Sequence, residues 1–350
     1  MLTLTEQMDK LTRTAWVKSN ANLMRMHSQL ARLLFMSASR DQQKGGSIEY
    51  GLRTKRPPYK WMAGAYDTYP KAQGPNSQKG VLPWAKIVAT MQISGDELMA
   101  QHGMTIQELL KKPSLSSMSS DERFVLMSII NNQIEEAQET IAEAVGDSIY
   151  NDTGSGGVGL TGLQAIIDNS TSAYAGLNYN DSAFQTDGKA GSTTYWQPIV
   201  DTNSGTNREL TLTAIGPTLR KCRRGGDAPE TVVAVCDEDL WYELDILLQG
   251  SKTYVDKDAS RLAKIGFDAF EWGHVSFMSD ERAPANKLYV VNLNNLWLEV
   301  RPKKDENNFE GWQKPHDQDA ATGSINCQLQ LCCNDRHRQG LVDDLAGISD

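Results

Sequence analysis

The sequence predicts an α+β fold, in which helices and strands follow one another without the regular βαβ order of a parallel sheet. Three observations lead to this class. A long amphipathic helix pattern covers residues 121–150, several short apolar stretches typical of strands lie between 193 and 336, and a stretch rich in proline and aromatic residues covers 48–83. That last stretch is too long for an ordinary loop of a compact domain. We therefore expect an α+β body from which an extended segment projects.

The composition limits the classes of function that the chain can have. Of its 350 residues, 39% are hydrophobic, which is enough for a sizeable core, and the formal net charge is −9. A negative charge of this size disfavours a protein that grips nucleic acid over a broad basic face. Apolar runs such as TVVAVC at 231–236 are far shorter than the ~20 residues of a membrane span, and the amino end shows no signal-peptide core. We expect a protein that spans no membrane and is made and kept in the cytoplasm.

Residues 3–40 repeat apolar side chains at a helical period, and Gly45 and Gly46 follow the pattern. This period predicts an amphipathic helical arm. Two placements are compatible with it: packing on the chain's own body, or docking on a neighbouring subunit.

Residues 48–83 combine five prolines with several large aromatic side chains. Proline excludes a helix here and weakens a central strand. Aromatic side chains carry too much apolar surface to remain in water without a purpose. We expect an extended arm whose burial surface lies on another chain, with a subunit interface formed by Tyr59, Trp61, Tyr66 and Tyr69.

The helix pattern from Asp121 to Tyr150 is the clearest element of the sequence. Its apolar positions step by three and four residues, while Glu135, Glu139 and Glu143 mark the opposite, solvated face. The expected buried positions are Leu126, Ile130, Ile134, Ala137, Ile141, Val145 and Ile149. A helix of this length, about 45 Å, is typical of a rib along an elongated domain.

A glycine run, DTGSGGVGLTG at 152–162, places Gly154, Gly156 and Gly159 at the G-x-G-x-x-G spacing of a dinucleotide site. Such a site requires a strand before the run, because the turn must aim the start of a helix at the phosphates. Here a helix precedes it. The run is better explained as a helix stop and a hinge, and a nucleotide-binding enzyme using Gly154–Gly159 is the less favoured alternative.

No arrangement of residues typical of catalysis occurs in the chain. None of the five histidines lies in an H-E-x-x-H motif, and no serine lies in G-x-S-x-G. Cys327, Cys332, Cys333 and His337 suggest a zinc site, but they lack C-x-x-C pairs and alternate like a strand. We therefore expect no enzymatic activity, no catalytic residue, no metal and no cofactor.

The second half of the chain predicts a mixture of strands and helices. A polar loop at 169–193 leads to a strand at 193–201 and a helix at 207–227. A buried strand and a helix follow at 231–250, and further strands follow within 263–280, 286–302 and 324–336, with Asn294-Asn295 as the turn of a hairpin.

The order of these segments resembles the tailed-phage major capsid proteins, over nearly the whole chain from about residue 48. The resemblance is carried by the extended loop and a series of pieces in a fixed order: Trp84 with IVATMQISGDEL, the helix DERFVLMSIINNQIEEAQETIAEAVGDSIYND, the glycine turn into GLTGLQAIID, Tyr195-Trp196, VVAVCDEDLWYELD, GFDAFEWGHVSFMSDERAPANKLYVVNLNNLWLEV, DQDA at 317–320 and NDRHRQGLV at 334–342. No piece is diagnostic alone, but their order is.

The resemblance implies the Hong Kong 97-like capsid fold and a division of the chain. The N-terminal arm would be 1–47, the extended loop 48–90, the peripheral domain with its long spine helix 91–205 and 301–350, and the axial domain 206–300. The polar loop at 169–193 is longer than is usual in the family.

The resemblance also implies a function: a major capsid protein that self-assembles, as pentamers and hexamers, into the icosahedral head shell of a tailed bacteriophage. Its partners would be copies of itself, a separate scaffolding protein, portal and head-completion proteins, and packaged double-stranded DNA contacted non-specifically. It would be located in the virion after assembly in the host bacterial cytoplasm. An encapsulin-like shell around enzyme cargo is the alternative with the same fold.

Overall fold

The computed structural model describes most of the chain in separate ranges. They are residues 28–38, 45–53, 60–62, 67–69, 77–96, 120–151, 159–168, 174–178, 196–223, 231–248, 269–273, 275–301, 309–313 and 320–346. The predicted α+β class is confirmed over these ranges, because helices and strands follow one another without a repeating βαβ unit.

The described helices are α1 (Gln29–Met36), α2 (Ser120–Asn151), α3 (Leu163–Ile166), α4 (Leu212–Cys222) and α5 (Glu238–Leu248), with a 3-10 turn at Arg336–Arg338. The described strands are β1 (Ser47–Arg53), β2 (Ser77–Pro83), β3 (Ala85–Ser94), β4 (Ile199–Asp201), β5 (Val232–Cys236), β6 (Ala269–Trp272), β7 (Val275–Ser279), β8 (Leu288–Asn292), β9 (Leu296–Val300), β10 (Ala320–Cys333) and β11 (Gly340–Val342).

The long helix α2 has 32 residues, so it runs for roughly 48 Å. Its buried face includes Ile130, Ile134, Ala137, Ile141, Val145 and Ile149, all at positions expected to be buried. Glu135, Glu139 and Glu143 are exposed, which confirms the solvated face as well. The side chain of Leu126, the remaining position expected to be buried, is outside the part of the helix whose side chains are described.

The helix α2 packs on a three-stranded antiparallel sheet in the order β3-β10-β9. The central strand β10 is long enough to pair with β3 over residues 320–329 and then with β9 over 329–333. Burial alternates along β3, with Ala89, Met91 and Ile93 turned inward, as expected for a strand covered on one face.

A second, six-stranded mixed sheet has the order β4-β11-β8-β5-β7-β6. Its central strand β5 is buried at every position, and its alternate side chains enter two different clusters. Val233 and Val235 join the core that contains α1 and α2. Val232, Ala234 and Cys236 pack with α4 and α5 on the other face. The sheet is therefore covered by helices on both sides.

Strands β8 and β9 are joined by a turn at Asn294-Asn295, but the expected hairpin between them is wrong. Strand β8 pairs with β5 and β11, whereas β9 pairs with β10. The turn itself forms, with the Asn295 amide donating to the Asn292 carbonyl at 3.1 Å. It carries the chain from one sheet into the other. After β9 and β10 in the three-stranded sheet, the chain returns to the six-stranded sheet with β11. The chain therefore crosses between the two sheets twice after β8.

Two predicted elements are shorter than expected. The strand expected from residue 193 begins at Ile199, directly after Pro198, which has no amide hydrogen to donate to a neighbouring strand. The helix expected from residue 207 begins at Leu212, because the hydroxyl of Thr211 accepts the Ala214 amide at 3.3 Å and caps it. The expected helical arm is described only over residues 28–38, where Ser28 caps α1.

Candidate assembly interface

The extended segment begins as a two-stranded antiparallel ladder. Strands β1 and β2 pair from Ser47 opposite Pro83 to Arg53 opposite Ser77. The segment that connects these two strands, residues 54–76, we call the arm tip; the structure describes its residues 60–62 and 67–69.

The base of this arm is packed on the chain's own body. Ile48, Leu52 and Leu82 are fully buried in the same core as α2. The ring of Tyr50 meets that of Trp297 edge to face, with centroids 5.6 Å apart. The expectation that the whole stretch buries its surface on another chain is wrong for the base. The apolar side chains of the base pack on β9 and on the core of their own chain.

Polar contacts fix the base as well. Gln330 of β10 is buried, and its amide donates to the Pro83 carbonyl at 2.9 Å while its oxygen accepts the Thr161 amide at 2.8 Å. The Val81 amide donates to the Ala175 carbonyl at 3.0 Å. These bonds hold the arm against the segments that follow the long helix.

The arm tip has the opposite character. Trp61 is 91% exposed and Tyr69 is 85% exposed, and Met62 beside them is also exposed. Tyr59 and Tyr66, the other two residues expected at an interface, lie outside the described residues. An ion pair of 2.6 Å between Lys60 and Asp67 joins the two limbs of the tip. Side chains this large and this exposed make the arm tip the candidate for the interface that the sequence analysis expects.

The arm helix α1 is held by a buried carboxylate that the sequence analysis did not identify. Asp280, just after β7, accepts the Ser28 hydroxyl at 2.8 Å, the Leu30 amide at 2.9 Å and the Tyr150 hydroxyl at 2.7 Å. Burial and the neighbouring Asp280 carboxylate raise the pKa of Tyr150 well above its usual range, so the phenol stays protonated and donates. One side chain thus joins α1, the end of α2 and the six-stranded sheet.

Close packing supports this junction. Gly146 of α2 faces Ser28, and a Cβ at Gly146 would lie only 3.1 Å from the Ser28 Cβ. Arg282 then reaches back to the same helix, with ion pairs of 3.1 Å to Glu143 and to Asp147. For the described part of the arm, packing on the chain's own body is therefore the placement found.

The residues that suggested other chemistry are described in part. The glycine run does follow the helix α2, which ends at Asn151, rather than a strand; Gly154 and Gly156 lie outside the described residues, and Gly159 has a φ of 79°. All five cysteines are free and buried, and burial raises the pKa of Cys222 and of Cys333 to about 12.

The side chains considered for zinc belong to a strand and a 3-10 turn. Cys327, Cys332 and Cys333 lie along the buried strand β10, and His337 faces the Gln197 carbonyl, 3.0 Å from its Nδ1. Across the described ranges no group of three His, Cys, Asp or Glu side chains could hold a metal ion. None of the helices in those ranges combines the length and apolar character needed to cross a membrane.

A second exposed surface was also missed by the sequence analysis. Tyr242, Ile246 and Leu247 of α5 are exposed, although Leu240, Leu244 and Leu248 of the same helix are buried. The signal was present in the sequence, because this helix carries apolar residues on two sides and only one side can face its own sheet.

No protein-family model matches the chain, and no curated protein sequence matches it. Solved structures do resemble it. A chain of the cyanophage A-1(L) capsid asymmetric unit is 18% identical, covering 91% of this chain and 92% of that one, with a TM-score of 0.64. The capsid of a native GTA particle gives 12% identity, coverage of 89% and 90%, and a TM-score of 0.56. The SrpI encapsulin of Synechococcus elongatus gives 7% identity, coverage of 91% and 90%, and a TM-score of 0.52. The chain has the Hong Kong 97-like capsid fold, as expected from its segment order.

Proposed function

We propose that this protein is a major capsid protein that self-assembles into the icosahedral head shell enclosing the double-stranded DNA genome of a tailed bacteriophage. The observation that carries this proposal is the arm tip, where Trp61 and Tyr69 are held in water by an arm whose base is fixed in the core. Exposed aromatic side chains on an arm with a packed base are suited to contact with a neighbouring subunit.

Shell assembly needs many such contacts, each of modest strength. A contact of millimolar affinity contributes only about 4 kcal/mol, but several contacts per subunit, closed by symmetry, stabilise a lattice. Weak single contacts also allow misplaced subunits to dissociate. We place copies of the chain in pentamers and hexamers of such a lattice.

The domain division goes with this proposal. The arm is 1–47, the extended loop 48–90, the peripheral domain 91–205 and 301–350, and the axial domain 206–300. The three-stranded sheet with α2 would form the peripheral body, and the six-stranded sheet would form the axial one. These bounds do not follow the sheets: β9 lies in the three-stranded sheet although its residues fall in the axial range, and β4 and β11 lie in the six-stranded sheet although theirs fall in the peripheral range.

The further partners that we propose are a separate scaffolding protein, portal and head-completion proteins, and packaged DNA. With a net charge of −9, the subunit would contact DNA weakly and without sequence preference, which lets the packed duplex move along the wall. Assembly would take place in the host bacterial cytoplasm, before the shell becomes part of the virion.

An encapsulin-like compartment is the second candidate, because the encapsulin comparison covers the chain as fully as the phage capsids do. The two candidates differ in their contents. Particles that carry packaged DNA absorb strongly at the nucleic-acid maximum, whereas a protein cargo gives a protein spectrum.

The arm tip provides the test of the proposal. Arg53 and Ser77 are paired across the ladder, so a short Gly-Ser turn can replace residues 54–76 without moving either strand. We expect the shortened chain to keep its fold, because the base of the arm and both sheets are retained. We expect it to lose shell formation, because every subunit loses a contact that is repeated around the lattice. Circular dichroism reports the fold, and sedimentation with electron microscopy reports the particles.

A pair of point variants sharpens this experiment. Trp61→Ser with Tyr69→Ser removes only the two exposed rings, and Met127→Ser removes an exposed apolar side chain from α2 as the matched control. We expect the first variant to assemble poorly and the control to assemble like the unmodified chain. Normal shells from the shortened chain would overturn the role of the arm tip in assembly.

A further inference from the structure

Helix α5 presents apolar side chains that are exposed among the described residues. Tyr242 is 58% exposed, Ile246 47% and Leu247 40%. Tyr242 and Ile246 are four residues apart, so they lie next to each other on the helix surface. The opposite side of the helix is buried on the six-stranded sheet through Leu240 and Leu244.

The same helix is acidic. Glu238 and Asp239 lie in its first turn, and Glu243 stands beside the apolar face. Partial burial, followed by the negative charges of Asp237 and Asp239, raises the pKa of Glu243 above its usual value. The negative charges of these carboxylates repel one another, and a cation nearby would reduce that repulsion. We call Asp239, Tyr242, Glu243 and Ile246 the α5 patch.

Helix α4 ends with the opposite charge. Arg220 and Lys221 are exposed in its last turn, and Arg223 follows them. Helices α4 and α5 lie on the same face of the six-stranded sheet, since both contribute to the hydrophobic cluster that contains Val232, Ala234 and Cys236 of β5. We call Arg220, Lys221 and Arg223 the α4 patch.

The basic end of α4 and the first turn of α5 lie at opposite ends of that sheet. The Arg223 guanidinium donates to the Gly273 carbonyl at 3.2 Å, just before the start of β7. Helix α5 begins at Glu238, shortly after β5 ends at Cys236. The Cys236 carbonyl accepts the amide of Asp280, which lies just after β7. Strands β5 and β7 are parallel, so about 15 Å of strand separates the two ends. The acidic first turn of α5 and the basic end of α4 are therefore separated along the sheet within one chain.

We propose that the α5 patch of one subunit docks on the α4 patch of a second copy of this chain. The charges are complementary, and the exposed rings and methyl groups of α5 supply the apolar centre that a specific contact needs. Two different patches of the same chain meet, so the contact runs head to tail and generates a ring when its rotation closes. This inference rests on the proposed function and names a contact within its shell that is separate from the arm tip.

Charge reversal tests the pairing. Asp239→Lys with Glu243→Lys makes the α5 patch basic, and Arg220→Glu with Lys221→Glu makes the α4 patch acidic. We expect each variant alone to raise the protein concentration needed for shell formation by about tenfold or more, because like charges then face each other. We expect the chain carrying all four substitutions to recover assembly, since the charges are complementary again. Light scattering with negative-stain electron microscopy measures the concentration and the particles.

The matched control is Glu135→Lys with Glu139→Lys. These two residues are also acidic and four apart, but they lie on the exposed face of α2, so they change the net charge as much as the α5 variant does without touching either patch. Circular dichroism and thermal melting confirm that each variant is folded. The contact is overturned if the α5 variant forms shells at the same protein concentration as the unmodified chain. It is also overturned if the chain with all four substitutions is as impaired as either two-substitution variant. If the unmodified chain itself forms no shells, the proposed function fails instead.

Discussion

Asp280 is the residue at which the distant parts of this chain meet. Its buried carboxylate accepts hydrogen bonds from Ser28 and Leu30 at the start of α1 and from Tyr150 near the end of α2. A carboxylate this deeply buried is stable only when several donors surround it. The position of the arm helix is therefore set by one side chain of the six-stranded sheet.

Replacement of this carboxylate is expected to be costly. In Asp280→Ala the buried donors of Ser28, Leu30 and Tyr150 lose their acceptor, which should lower the free energy of unfolding by about 3 kcal/mol or more. Chemical denaturation of the isolated subunit measures the change. Asp147→Ala is the control, because its ion pair with Arg282 is exposed and should contribute about 1 kcal/mol or less. Equal effects of the two substitutions would contradict the role of Asp280.

The role of Asp280 could not be predicted from the sequence. Ser28 lies 252 positions away and Tyr150 lies 130 positions away, and no local pattern marks a carboxylate that closes such contacts. The buried face of α2 could be predicted, because a helical period repeats within a few residues. The same holds for Trp61 and Tyr69, whose proline-rich surroundings exclude a core position.

At the scale of elements, the long helix is the framework of the first core. Ile141 lies in its middle and is buried against the body that includes the three-stranded sheet. Ile141→Ala should leave a cavity and lower the free energy of unfolding by about 2–5 kcal/mol. Denaturant titration of the isolated subunit measures the loss. Glu139→Ala, on the exposed face of the same helix, should change little, and a melt of Ile141→Ala equal to that of the unmodified chain would refute the assigned face.

The elements also show where sequence patterns stop being sufficient. The expected helix at 121–150 differs by one residue at each end from the observed α2, because capping and period are local. The hairpin at Asn294-Asn295 was wrong because a turn is local whereas strand pairing is not. Strands β8 and β9 are buried almost throughout, so their side chains carry no alternation that would reveal different sheets.

The extended arm likewise has one part that local sequence patterns predict and one part that they do not. Its tip could be recognised by proline and aromatic content, but the burial of its base depends on Trp297 and Gln330, more than two hundred residues further along the chain. The base and the tip therefore have different consequences for stability. Changes at the base should unfold the subunit, and changes at the tip should affect only association.

At the scale of the whole molecule, two sheets share one core around α2, and one face of the second sheet carries two further helices. Most of the large apolar side chains that the structure describes are buried within the subunit. Trp61 and Tyr69 of the arm tip and Tyr242, Ile246 and Leu247 of α5 are exposed. Under the proposed function, two separate exposed surfaces would let each copy contact more than one neighbour. That is the physical requirement for a closed lattice built from a single chain.

Electron microscopy of the unmodified chain, expressed in bacteria alone and together with a scaffolding protein, tests the central claim most directly. We expect closed icosahedral shells of uniform diameter in at least one of the two preparations, with a matching fast boundary in sedimentation. A chain that stays monomeric in both preparations, at concentrations where the fold is intact by circular dichroism, would contradict the proposal that it is a capsid subunit.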